Sequence, residues 1–223
     1  MKPLYKLATL IFPDRCPYCN CLIEPERIAC PRCFEILRQK HIPLSLGVSG
    51  YRCVSSFVYG GKVRRMIIRL KFYDRTQYIP QIAKVTADDI KAAFEDIGFD
   101  CITYVPMHTK DEKKRGYNQS ELLAKALSKE LSLPCLDTLD KIKRTKKQHT
   151  LTYSQRRKNL SGAFKAKEGV DISGKSVLMI DDIITSGATL STCCKALRRA
   201  KPKMICCATI ASAKNVYPEE SVI

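Results

Sequence analysis

Asp181 and Asp182 stand side by side after four apolar residues, Val177 to Ile180. Ile183 and Ile184 follow, then a run of small residues, Thr185-Ser186-Gly187-Ala188-Thr189. Ionised carboxylates only accept hydrogen bonds, so an adjacent pair suits the vicinal hydroxyls of a sugar, directly or through Mg²⁺. Thr185 to Thr189 supplies closely spaced backbone N–H groups and three hydroxyls where a helical pattern begins at Leu190, Cys193, Cys194 and Leu197. A helix N-terminus of that kind favours a phosphate. Gly187 allows a positive φ or a close backbone approach. The apolar run before the acids reads as a short buried parallel strand. Together these are the parts of a phosphorylated-sugar site. An Asp-rich turn capping a helix explains one acid, but not two acids and five small residues in order. A Walker-type loop lacks its Gly-Lys-Ser/Thr here.

A second chemistry is written near the start. Cys16-Pro17-Tyr18-Cys19 and Cys30-Pro31-Arg32-Cys33 are two knuckles with ten residues between them. Each can turn two thiolates toward one ion, and four thiolates in a tetrahedron make a closed structural zinc site. So short a module buries little core and draws folding energy from its metal. A disulfide pair or a redox CxxC is the other reading of such cysteines. Cys21 and Cys53 are spare, with Cys21 the better substitute ligand. Cys101, Cys135, Cys193, Cys194, Cys206 and Cys207 fall on apolar patterns and are expected in the core. The apolar run Leu7 to Phe12 is too short for a signal core, and Met204 to Ala213 is too short to span a bilayer. The expectation is a reducing, cytoplasmic setting with no membrane span, where paired cysteines hold metal.

Charge points to anionic partners. The 223 residues carry 39 Lys+Arg against 22 Asp+Glu, a formal charge of +17. From Val63 to Leu70 apolar residues recur at helical spacing. Lys62, Arg64, Arg65, Arg69 and Lys71 decorate the other faces, and Phe72 and Tyr73 follow. Basic residues beside aromatics are what single-stranded nucleic acid binding uses, and a solvated basic helix face is the competing reading. Lys141 to Lys158 holds eight Lys or Arg and no acid. Such a stretch packs little, so it is expected to move and to lie over a pyrophosphate.

These residues need elements to hold them. Leu4, Leu7 and Ile11 suit one face of a short helix. His41 to Gly50, with Pro43, Gly47 and Gly50, reads as a linker, giving residues 1–50 as helix plus zinc module and 51–223 as the main domain. Cys53 to Tyr59, Cys101 to Val105 and Met204 to Ala211 read as strands, and Tyr78 to Phe94 as an amphipathic helix. Cys101 to Val105 runs into Pro106-Met107-His108 and a charged loop. Arg115-Gly116-Tyr117-Asn118-Gln119 then opens a helix. A strand end feeding a helix start is where α/β sheets bind ligands, and Arg115 could hold a second anion there.

Val177 to Thr189 resembles the PRPP-binding motif of the type I phosphoribosyltransferases, PRPP being 5-phosphoribosyl-1-pyrophosphate. In that family the acidic pair holds the ribose hydroxyls and the loop cradles the 5-phosphate. Several blocks together resemble the ComF competence-protein family: the four knuckle cysteines, Tyr59-Gly60-Gly61 with Leu70-Lys71-Phe72, Val105 to His108 with Arg115 to Gln119, Arg144 through Phe164, and Asp181 to Thr189. Ser186 stands where many members have a second Thr. The resemblance implies a type I phosphoribosyltransferase fold, a parallel sheet flanked by helices, behind a small four-cysteine zinc module. It also implies a role in DNA uptake and natural transformation, with other DNA-uptake proteins as partners. It supplies no acceptor and no oligomeric state.

The expected mechanism is Mg²⁺-dependent binding of PRPP across the carboxyl ends of the sheet. Thr185 to Thr189 takes the 5-phosphate and Asp181 and Asp182 the ribose. Pro106, Met107 and His108 lie by the pyrophosphate with Arg115, and a loop containing Arg144 closes over it. Positioning and anion stabilisation then do the chemical work. Three outcomes follow: a transferase with an unknown acceptor, a PRPP-responsive protein without turnover, or a DNA-handling adaptor. Single-stranded DNA is expected on Lys62, Arg64, Arg65, Arg69, Lys71, Phe72 and Tyr73. With few residues after the last strand, the zinc module or the first helix is expected to roof the site.

Overall fold

The computed structural model describes residues 13, 15–24, 27, 29–145 and 159–213. The expected helix at Leu4 to Ile11 and most of the basic stretch, 146–158, lie outside the described residues.

A five-stranded sheet forms the frame, in the order β1-β2-β7-β6-β3. Strand β2 (Tyr51–Val58), β7 (Met204–Ser212), β6 (Ser176–Ile184) and β3 (Cys101–Tyr104) run parallel, and β1 (His41–Val48) pairs antiparallel on the edge. The side chains of β6 and β7 alternate between two cores. Leu178, Ile180, Cys206 and Ala208 face one, and Val177, Met179, Ile205 and Cys207 the other. Both faces are covered, which is why these strands read as continuous apolar runs. Each large aliphatic side chain buried this way contributes about 1.5–3 kcal/mol relative to exposure.

The first core is closed by α2 (Gly61–Phe72), α3 (Ile79–Ala93) and α5 (Gln119–Leu131). Helix α2 buries Val63, Met66, Ile67 and Leu70, the spacing that the sequence carries. The second core is closed by α6 (Ala188–Leu197) and a small ribbon of β4 (Leu139–Lys141) with β5 (Phe164–Ala166). The chain leaving β3 therefore turns to one face through α5, and the chain leaving β6 to the other through α6. That divergence opens a crevice at the carboxyl ends of β3 and β6, where open α/β sheets bind ligands.

Two expectations are corrected. His41–Val48 is a strand of the sheet and not a linker. Ser49 and Gly50, with φ of 50° and 86°, make the tight turn that joins it to β2. Positive φ at both central residues matches a two-residue hairpin, whose twist suits paired strands. The charged stretch after His108 is a short helix, α4 (Thr109–Arg115). His108 accepts from the Lys110 N–H at its start, acids occupy its first turn and cations its last, and Gly116 at φ 89° ends it. Strand β6 also runs on through both acids to Ile184.

Candidate functional site: an acidic cavity and a thiol cluster

Asp181 and Asp182 are held rigidly because they are strand residues, with Asp181 in register with Thr209 of β7. Asp181 Oδ1 accepts 2.9 Å bonds from Ser120 Oγ and from the Asp182 N–H. Asp182 Oδ2 lies 2.8 Å from Lys71 Nζ, at the end of α2. Both acids are buried. Burial, and then the neighbouring Asp182 charge, push the Asp181 carboxyl up to about 7. Lys71 offsets part of that rise.

The acids open into a cavity of about 450 Å³. Its wall brings together Pro106, Met107, Arg115, Thr185, Gly187 and Thr189 from the expected set, and adds Tyr59, Gln119, Ser120 and Lys141. Asn118 caps α5 by accepting from the Ser120 N–H, and its own amide donates to the Val105 carbonyl at 3.1 Å, which fixes the start of α5 against the end of β3. Burial lowers the pKa of Lys141, whose amine sits 5.7 Å from the Phe164 ring. The loop of small residues stands at the start of α6 with Gly187 at φ 76°. A Cβ there would lie 2.9 Å from Val48 Cγ1, so only glycine lets the loop settle on β1.

Other expected residues sit elsewhere. His108 caps α4. Arg144 pairs with Asp111 at 3.1 Å. Ser186 Oγ accepts from the Ala188 N–H, and Ala188 packs into the second core. Ser120, Gln119 and Lys141 were missed as individuals. The only signal for the first two was their place at a helix start beside Arg115.

Helix α2 joins this cavity to the cysteines. Cys16, Cys19, Cys30 and Cys33 gather with all four Sγ atoms within 4.8 Å of one another. Cys19 and Cys30 Sγ are 3.6 Å apart, against about 3.8 Å for two sulfurs on a tetrahedral zinc at ~2.3 Å per bond. The group could therefore hold a metal such as zinc. Cys30 and Cys33 frame the start of α1 (Pro31–Lys40), where the Cys33 and Phe34 N–H groups bond to the Cys30 carbonyl. Cys21 Sγ lies 3.4 Å from Cys19 Sγ, close enough to be a substitute. The other six cysteines expected in the core are buried, except half-buried Cys135; Cys53 is buried too.

The basic helix is only partly a free surface. Lys62 donates to Cys33 Sγ at 3.1 Å, Arg69 to the Pro17 carbonyl at 3.4 Å, and Lys71 pairs with Asp182. Tyr117 donates to the Leu70 carbonyl, and Arg115 stacks 5.4 Å from the Phe72 centroid. Arg64 and Arg65 remain exposed, as do Phe72 at 68% and Tyr73 at 65%. The thiol cluster packs behind α2, and α2 itself brings Lys71 to the cavity. No helix among the described residues is long and apolar enough to cross a membrane.

Residues 118–222 match the phosphoribosyl transferase domain family. A DNA utilization protein, YhgH of Escherichia coli, is 26% identical over 192 residues, covering 82% of this chain and 84% of the relative. Competence protein F of Haemophilus influenzae is 37% identical over 102 residues, 45% of this chain and 44% of the relative. Competence protein ComFC of Bacillus subtilis is 27% identical over 177 residues, 78% of this chain and 68% of the relative. This chain belongs to the ComF family. Its sheet and helices are those of a phosphoribosyltransferase, with an N-terminal cysteine cluster that could bind zinc. In this ComF-family chain the phosphoribosyltransferase acids, the small-residue loop and the start of α5 all face one cavity.

Proposed function

We propose that this ComF-family protein binds PRPP in the acidic cavity and acts in DNA uptake, contacting single-stranded DNA on the exposed side of α2. One observation carries the reading: two buried acids end a parallel strand and share a cavity with a small-residue loop at a helix start and with Arg115. The loop from Thr185 to Thr189 takes the 5-phosphate on backbone N–H groups, aided by the dipole of α6. Asp181 and Asp182 accept from the ribose hydroxyls. Arg115, with the backbone from Val105 to Met107, faces the pyrophosphate. Lys71 leaves Asp182 as the ligand's hydroxyls or a cation replace it.

The paired carboxylates are hard oxygen donors of the kind Mg²⁺ takes, so Asp181 and Asp182 would hold it together with the ligand's own oxygens. Bound there, Mg²⁺ supplies charge neutralisation for a leaving pyrophosphate. Zinc suits the four thiols and supplies folding energy rather than chemistry. The DNA contact rests on exposed Arg64, Arg65, Phe72 and Tyr73, cations and aromatics on one helix end. The names of the relatives, a DNA utilization protein and two competence proteins, support the cellular role.

Pyrophosphate release from PRPP, measured with and without nucleobase or nucleic acid acceptors, separates transfer from sensing. Acceptor-dependent release is the outcome for a transferase. Saturable binding without release under every acceptor leaves a PRPP-responsive protein.

A further inference from the structure

Four buried side-chain atoms lack a partner among the described residues: Tyr18 Oη, Ser55 Oγ, Gln119 Nε2 and Thr209 Oγ1. Of these residues only Gln119 also forms part of the cavity wall. It is the first residue of α5 and only 2% exposed. Its neighbours are fully engaged by the protein. Asn118 bonds to Val105 and Ser120, and Ser120 Oγ donates to Asp181. The amide of Gln119 alone keeps a spare donor at this helix start. A buried donor left unsatisfied costs about 1–3 kcal/mol, and such groups call for an explanation. Arg115, Lys71 and Lys141 share the same cavity. A spare amide N–H among cations suits an anionic oxygen, and the 5-phosphate is already provided for by the loop before α6.

We propose that Gln119 donates its side-chain N–H to a second anionic group of the occupant, and so makes the cavity select a sugar phosphorylated at both ends over a sugar monophosphate. This rests on the PRPP reading above. Gln119→Met keeps the length of the side chain and removes the donor. If Gln119 serves a ligand, the free variant is as thermostable as wild type or more so, because an orphaned polar group is gone. Its affinity for PRPP falls about tenfold, as for one charge-assisted bond, while that for ribose 5-phosphate changes less than threefold. Gln119→Glu weakens PRPP further, since a carboxylate there opposes the anion.

Calorimetric titration of the full chain with PRPP and with ribose 5-phosphate, beside thermal melts of the free proteins, decides the matter. An unchanged PRPP-to-ribose-5-phosphate affinity ratio in both variants overturns the assignment of Gln119 and leaves the PRPP reading standing. Failure of wild type to bind PRPP overturns both. Lower melting temperatures in both free variants, or failure of both to fold, assigns Gln119 to the fold and overturns the proposal.

Discussion

Asp181→Asn tests the physics of the acidic cavity without any ligand. Asp181 is buried beside a second carboxylate, and these two causes hold its carboxyl at about 7 against an ordinary 3.8. A carboxyl whose folded pKa lies above its unfolded one opposes folding once ionised. The cost is absent below about pH 4, grows as pH rises toward 7, and is constant above that. The shift of about three units corresponds to an upper bound of about 4 kcal/mol at about 1.36 kcal/mol per unit. Asparagine keeps an acceptor for the Ser120 hydroxyl and the Asp182 N–H but carries no charge. At pH 8.5 the variant should therefore melt higher than wild type, by about 4–10 °C at 2–4 °C per kcal/mol for a chain of this size, allowing for relaxation. At pH 5 the two should melt within about 2 °C of each other, since both side chains are then neutral when folded. Differential scanning calorimetry across pH reads this directly. A variant less stable than wild type at pH 8.5, or a gain equal at both pH values, refutes the reasoning.

The purified chain should carry one zinc, by metal analysis. Replacing any of Cys16, Cys19, Cys30 or Cys33 with Ser should release it and loosen the N-terminal module first, seen as proteolysis before residue 41; zinc-free wild type is the contrary result. Single-stranded DNA should bind with an affinity that falls steeply with salt, and Arg64→Glu with Arg65→Glu should weaken it at least tenfold while leaving PRPP affinity within threefold. Lys62, Arg69 and Lys71 are left intact in that variant because each is engaged within the fold. Loss of the DNA signal at saturating PRPP would move the DNA site onto the cavity.

Much of the frame was legible because its signals are local. Val177 to Ile180 reads as a buried strand and is one, and the small residues after it do begin a helix. The two knuckles announce four thiols, and the thiols do converge. The edge strand His41–Val48 was misread because Pro43, Gly47 and Gly50 suggest a linker. Its evidence was the Ser49-Gly50 turn ahead of an apolar strand, a weaker signal than three breakers. The tasks of the basic helix were not legible at all. Lys71 meets Asp182, and Lys62 meets Cys33, across long sequence separations that only the packing of α2 on the sheet and the module brings together. A charge run tells how many cations there are, not which are already engaged.

The central claim is that the cavity before α6 binds PRPP through its two acids. Isothermal titration of the wild-type chain with PRPP in the presence of Mg²⁺, repeated on Asp181→Asn with Asp182→Asn, tests it most directly. The account predicts saturable binding near one ligand per chain, weakened at least tenfold in the double variant, since each lost charge-assisted contact is worth about 1.5–3 kcal/mol. Equal affinity in the two proteins, or no heat of binding in the wild type, contradicts it.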